Sequence, residues 1–217
     1  MNSKACNIIC TALSFVIFTL ATAVASEPKI TKLHKPKMDG GKPLIEVIKN
    51  RKSERSFSEK KISEKILSNL LWAAWGISRP ESGKRTAPSA INSQEVDLYI
   101  STAEGVYLYD ANGHALKQIL NKDIRAKTGE QEWVGSAPLN LVYVLDLEKG
   151  VGDEEEAIFN AAISTGAIVQ NVYLFCTSEG LATVVRGSVN RKALAKTMKL
   201  NKNQRVLMAQ SVGYRGK

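Results

Sequence analysis

The stretch GAIVQNVYLFCTSEGLATVVRG, residues 166–187, decides the architecture. Its first part continues an apolar period that starts near residue 154. Ala157, Ile158, Ala161, Ile168, Val169, Val172 and Cys176 recur at three- and four-residue spacing, which predicts a helix over 154–179. Three glutamates, 154 to 156, sit where the positive end of a helix dipole favours negative charge. Because the helix is apolar around most of its surface, it is expected to be central to the fold. Gly180 can adopt the positive φ that ends a helix, and Leu181 to Val185 then read as a strand.

Outward from this pair, residues 190–200 predict a short helix and 206–212 a final strand. Upstream, LNLVYVLDL (139–147) is short, apolar and rich in β formers, the pattern of a buried strand. Val96 to Ile100 and Val106 to Tyr109 alternate on either side of Gly105, which predicts two strands joined by a turn. Residues 114–133 suggest short helical pieces, and 77–93 a long polar loop of the kind that is functional or mobile. A helix capped by Ser63 carries Ile66, Leu67, Leu70, Leu71 and Ala74 inward and ends near Gly76. Another begins after Pro43 with Leu44, Ile45, Val47 and Ile48. Helices and strands mix without regular βαβ alternation, so the fold class is α+β.

A leader is expected at the start of the chain. Lys4 is the only charge before Glu27; between them lie the apolar run ALSFVIFTL (12–20) and the small residues Ala23-Val24-Ala25. This reads as a secretory signal over 1–25, with export, to the periplasm, expected. The alternative is an uncleaved membrane anchor, although a span needs about 20 mostly apolar residues and several hydroxyl side chains dilute this one. Removing the leader takes Lys4 and leaves 192 residues with a charge of +8 instead of +9. It also takes Cys6 and Cys10, so Cys176 is the only remaining cysteine and an intramolecular disulfide is excluded. One cysteine and two histidines, His34 and His114, offer no zinc cluster. Residues 26–42 form a polar arm with lysines at 29, 32, 35, 37 and 42. No aromatic residues interleave with these lysines, so nucleic acid is not an expected partner. The domain proper is expected over 43–217.

The segment Arg51-Lys52-Ser53-Glu54-Arg55-Ser56-Phe57 carries the chemistry. In an extended backbone, Arg51, Ser53 and Arg55 project to one side. Two guanidiniums and a hydroxyl suit a phosphate and a neighbouring polyol or carbonyl. By composition alone the segment reads as a solvated basic turn, since basic runs are common. Trp72 and Trp75 fall on the apolar side of their helix and are expected in the core, whereas Trp133 is open to either a packing role or the mouth of a site. Gln170-Asn171 is expected to be a packing or interface pair.

Taken together, R-x-S-x-R-x-F, the helix end LLWAAWGI, the loop GKRTAPSAINSQ, EGVYLYD, the helix GAIVQNVYLFCTSEGLATV and a terminal VGY resemble the nitroreductase superfamily of FMN enzymes. The closest look is to its compact branch of thiazole- and oxazole-forming peptide maturation oxidases. The resemblance covers about residues 44 to 214. It implies a central, mostly antiparallel sheet flanked by helices in an interwoven homodimer that holds FMN at its interface. It also implies that Arg51 holds the FMN phosphate, Ser53 the ribityl–phosphate region and Arg55 the pyrimidine edge. Pro88, Ser89 and Asn92 match the loop laid over the flavin by the other subunit. Val185-Arg186-Gly187 matches the segment whose backbone approaches flavin N5. Many relatives carry an acidic residue where Arg186 stands, so only the backbone role carries over. Arg215 is the match for a C-terminal phosphate ligand.

The resemblance implies an exported oxidoreductase that passes hydride between a reductant and a small organic substrate, such as a nitro compound or a quinone, in two flavin steps. Outside the cytoplasm the expected donor is a membrane quinol, a redox partner or the substrate itself, not a pyridine nucleotide. No catalytic side chain and no metal is assigned. A non-catalytic flavin-binding module and a basic surface protein that binds anionic partners are the alternatives.

Overall fold

The computed structural model describes residues 28–216; the expected leader lies outside the described residues. Nine strands and four helices are present among these residues. In chain order they are β1 (Ile30–Lys32), α1 (Leu44–Asn50), α2 (Glu64–Trp75), β2 (Ile77–Arg79), β3 (Lys84–Arg85), β4 (Val96–Thr102) and β5 (Gly105–Asp110). They continue as β6 (Ala115–Leu120), β7 (Leu139–Asp146), α3 (Glu154–Ser178), β8 (Leu181–Arg186), α4 (Arg191–Met198) and β9 (Gln204–Tyr214). Seven strands form one sheet in the order β1-β6-β5-β4-β7-β9-β8, with every neighbouring pair antiparallel. The fold is therefore α+β, as expected.

The period of β7 explains the layering. Leu139, Leu141, Tyr143 and Leu145 face one side and pack with α2 and α3; Val142 and Val144 face the other and pack with Leu194 and Met198 of α4. A strand apolar on both faces is what a sheet covered on both sides requires. On the first side, Trp75 is buried and donates its indole N–H to Val96 O at 2.8 Å. Both tryptophans of α2 are accounted for, since Trp72 donates to Ile77 O. The helix ends follow local chemistry. Ser63 Oγ accepts the Ile66 N–H, Asp153 caps α3 through the Glu156 N–H, and Gly180 takes φ +72° after α3.

Two segments differ from the sequence expectation. Residues 115–120 (ALKQIL) are a strand, not helix: β6 pairs with β5 on one side and β1 on the other, so sheet pairing overrides a helix-favouring composition. The lysine-rich segment before α1 is docked. Ile30–Lys32 adds a strand to β6, the Lys37 N–H binds Asn69 Oδ1 and the Lys42 N–H binds Ser178 Oγ. The long polar loop contains the small β2–β3 hairpin and a 3₁₀ turn at Ala90–Asn92.

α3 is long and apolar enough to cross a bilayer by composition, yet one of its faces is core, packed against α2 and the sheet. Its opposite face leaves Ile158, Phe159 and Ile163 exposed, and α1 exposes Leu44, Ile45 and Ile48. Cys176 is free and buried, and burial pushes its thiol well above the ordinary range.

Candidate functional site

β8 is the edge strand of the sheet, and an unpaired edge is a liability unless it is covered. The segment after α1 covers it. Arg51 leaves the helix with φ −59° and ψ 125°, so the chain runs on extended. The Glu54 N–H donates to Thr183 O at 3.0 Å, and the Val185 N–H donates to the Tyr173 hydroxyl at 3.0 Å. The Thr183 carbonyl is thus taken by this cover and the Val185 N–H by a tyrosine of α3. The segment then joins the tail of β9 through the Phe57–Arg215 bridge and the bonds Ser58 N–H to Tyr214 O and Gly216 N–H to Ser56 O.

Tyr173 organises the inner wall. Its hydroxyl lies 2.8 Å from Ser53 Oγ, and the Arg51 guanidinium sits 5.0 Å from the centre of its ring. Beside Arg51 opens a cavity of about 510 Å³ lined by Lys42, Lys49, Arg51, Lys52 and Arg215, with Glu46 its only carboxylate. Arg215 is steadied by Glu54 at 3.1 Å, and Lys52 pairs with the same carboxylate. Lys42 pairs with Glu46, so two carboxylates face five cations and the cavity keeps a net positive lining that suits an anion. Arg55 is exposed and makes no ion pair or hydrogen bond among the described residues.

At the far end of β8, Gly187 continues the outward phase of residues 183 and 185. It is exposed, and a Cβ there would meet open space. From Leu181 to Arg186 the strand advances about 17 Å at the usual rise per residue. The basic cavity and the open glycine therefore stand a strand's length apart on one edge. The residues present fit FMN: a basic pocket for the phosphate, a hydroxyl at Ser53, a free guanidinium at Arg55 and an unobstructed backbone at Gly187.

The structure brings Arg51, Ser53 and Arg215 together and puts Gly187 on the same edge. It does not bring Pro88, Ser89 and Asn92 to the basic cavity of the same chain. Their loop holds itself: Ser89 Oγ accepts the Gln94 N–H and Asn92 Oδ1 accepts from Gln94 Nε2. Ile91, Asn92 and Gln94 all have positive φ, and Ile91, at φ 43°, is 86% exposed. A β-branched residue in that region is strained, and its side chain is left in solvent. The Arg186 side chain turns inward and is buried, donating to Thr128 O at 2.7 Å and to Asn140 Oδ1 at 2.9 Å.

Tyr173 escapes sequence reasoning, whereas Trp133, left open between packing and the mouth of a site, takes a place beside the candidate site. Tyr173 occupies an ordinary inward position of α3, and only its hydroxyl among apolar neighbours hints at a second task. Trp133 stacks on Phe57, with ring centres 5.8 Å apart, and lies under the Arg186 guanidinium. His114 belongs to neither a metal site nor this edge. It bridges Ser68 Oγ and the Tyr109 hydroxyl, and no cluster of metal-ligating side chains occurs among the described residues.

Residues 48–214 match the model of the nitroreductase family. The chain belongs to the nitroreductase family. A candidate nitroreductase from Ralstonia eutropha has the same fold, with TM-score 0.84 and 37% identity, over 90% of this chain and 93% of its own. A candidate nitroreductase from Methanocaldococcus jannaschii is 27% identical over 176 residues, 76% of this chain and 88% of that one. Two more distant structures share the nitroreductase fold. One is from the E. coli microcin synthetase complex McbBCD bound to truncated pro-MccB17 (TM-score 0.67, 23% identity, 95% of this chain and 85% of that one). The other is a candidate nitroreductase from Desulfovibrio desulfuricans in complex with FMN (TM-score 0.60, 22% identity, 82% and 89%). Family membership makes this chain an oxidoreductase of flavin type.

Proposed function

We propose that this nitroreductase is an exported, homodimeric FMN-dependent oxidoreductase acting on a small organic substrate. One observation carries the reading. Arg51 and Arg215 converge on a basic cavity at one end of β8, while Gly187 leaves the other end open. The D. desulfuricans protein of the same fold, in complex with FMN, supports the choice of cofactor.

Bound there, FMN would supply the hydride acceptor and donor that the protein's own side chains lack. Arg51 and Arg215 bind the phosphate, helped by Lys42, Lys49 and Lys52 around it. Ser53, held by Tyr173, offers its hydroxyl to the polyol chain. Arg55, with no partner of its own, is available to the pyrimidine edge, where a fixed cation favours the negative charge acquired on reduction. Gly187 lets the backbone approach the ring without a side chain in between.

The subunit partner is a second copy. Ile158, Phe159 and Ile163 on α3 leave an apolar face exposed, and burying each such side chain contributes about 1.5–3 kcal/mol. The strained loop of Ser89, Ile91 and Asn92 takes no part in its own chain's basic cavity and is suited to cover that of the partner. With the leader directing export, the reductant is a membrane quinol, a redox partner or the substrate itself, and the +8 surface favours an acidic or anionic docking surface. The test is reconstitution of the protein lacking residues 1–25 with FMN, followed by bleaching with a quinol and with NADH. Bound flavin that is reduced fast by the quinol and slowly by NADH supports the reading; no flavin uptake rejects it.

A further inference from the structure

Arg186 is the last residue of β8, 4% exposed, and directly precedes the open Gly187. Its Nη atoms donate to Thr128 O and Asn140 Oδ1, both neutral acceptors. Its Nε is buried with no partner, and among the described residues no carboxylate pairs with it. Glu130, on the loop that Arg186 grips, is turned instead to Ser188 Oγ at 2.7 Å. Burial lowers this guanidinium to about 10, which still leaves it charged at neutral pH. A buried cation without an anion is costly, so its retention calls for a reason.

The surroundings are built around it. A Cβ on Gly129 would meet Arg186 Nη1, so a side chain there would have to displace the guanidinium from its place. Asn140 Nδ2 donates to Val134 O, and Trp133 beside it lies under the guanidinium and against Phe57. Arg186 thereby joins three parts of the candidate site: the end of β8, the 125–136 loop with Trp133, and the end of the R-x-S-x-R-x-F segment.

We propose that Arg186 is a charge-setting residue of this site, holding one uncompensated positive charge next to the Gly187 backbone so as to favour the reduced form of a bound flavin. This rests on the FMN reading above. Reduction delivers two electrons and one proton from the donor to the ring, which leaves the ring with one negative charge. A fixed cation in a buried, low-dielectric setting stabilises that charge without reorganising. The same contacts hold Trp133, so the residue positions the wall of the site as well.

The experiment measures the midpoint potential of bound FMN in the wild-type protein and in Arg186→Gln, Arg186→Lys and Asn140→Asp, with FMN affinity and thermal stability recorded alongside. Asn140→Asp keeps the arginine and its hydrogen bond but sets a carboxylate beside it, so it neutralises the charge even if Arg186→Gln does not fold. Arg186→Gln and Asn140→Asp should each lose at least tenfold of the preference for reduced over oxidised FMN, about 30 mV downward for a two-electron couple. Arg186→Lys should retain most of the potential while losing stability. Potentials unchanged in Asn140→Asp and in FMN-loaded Arg186→Gln would overturn the proposal and leave Arg186 a packing residue. A wild-type protein that takes up no FMN would instead overturn the flavin reading, and this inference with it.

Discussion

Ser53 Oγ and the Tyr173 hydroxyl lie 2.8 Å apart, and the same hydroxyl receives the Val185 N–H. One phenol thus ties the R-x-S-x-R-x-F segment to the edge of the sheet, and the site depends on a helix residue that need not touch any ligand. Tyr173→Phe keeps the ring under Arg51 but strips the acceptor from Val185 and the partner from Ser53. A buried donor left without a partner costs about 1–3 kcal/mol. Urea unfolding should show a loss in that range, and FMN titration should show weaker binding with Arg51 still in place.

Arg51 and Arg55 are predicted to separate in their effects. Arg51 sits in the basic cavity, so Arg51→Ala should weaken FMN binding by about 1.5–3 kcal/mol, the scale of a hydrogen bond to a charged group. Arg55→Ala should lower the midpoint potential more than the affinity. Calorimetric titration and spectroelectrochemistry on the two variants decide it; equal affinity to wild type in both would remove these residues from the site.

Much of this framework was legible in the chain. The Ser63 cap, the Gly180 stop, the long helix between them and the doubly apolar 139–147 strand are written in local chemistry and period. What stayed hidden depended on pairing across the sheet. Ala115 to Leu120 are good helix formers that become β6 because β5 and β1 flank them. Ile30 to Lys32 look like solvated arm until β6 offers an edge. In the site, Arg51, Ser53 and Arg55 stand out as a motif, whereas Tyr173 does not, because an inward tyrosine on a buried helix fits a packing role equally well. The burial of the Arg186 side chain was not legible, since nothing local says that Thr128 and Asn140 wait for it 58 and 46 residues upstream.

Assembly should be coupled to the cofactor. Phe159 is 65% exposed and Ile163 59% exposed, one turn apart on α3. Phe159→Asp and Ile163→Asp should convert a dimer to monomer by sedimentation, and FMN retention should fall in step, because a ligand held between subunits links the two equilibria. A monomeric variant that keeps stoichiometric FMN would reject a shared site.

Stability should fall in mild acid through His114. Burial lowers its pKa below the ordinary 6.5, so the unfolded chain takes up a proton before the folded one does. Its contribution is therefore fully present above about 6.5, the unfolded value, and is lost as pH falls toward the folded value. The neutral ring joins Ser68, which also binds His34 O, to Tyr109. His114→Asn should lower stability at pH 7.5 and flatten this part of the profile in unfolding experiments at stepped pH. An unchanged slope would assign the acid sensitivity elsewhere.

On the proposed function, the basic cavity and the open end of β8 together hold FMN. The most direct test is the visible absorbance spectrum of the purified protein without residues 1–25, recorded before and after addition of FMN and removal of excess by gel filtration. Flavin bands should co-elute with the protein at one FMN per chain and be lost in Arg51→Ala with Arg215→Ala. A wild-type protein that elutes colourless after incubation with excess FMN would contradict it.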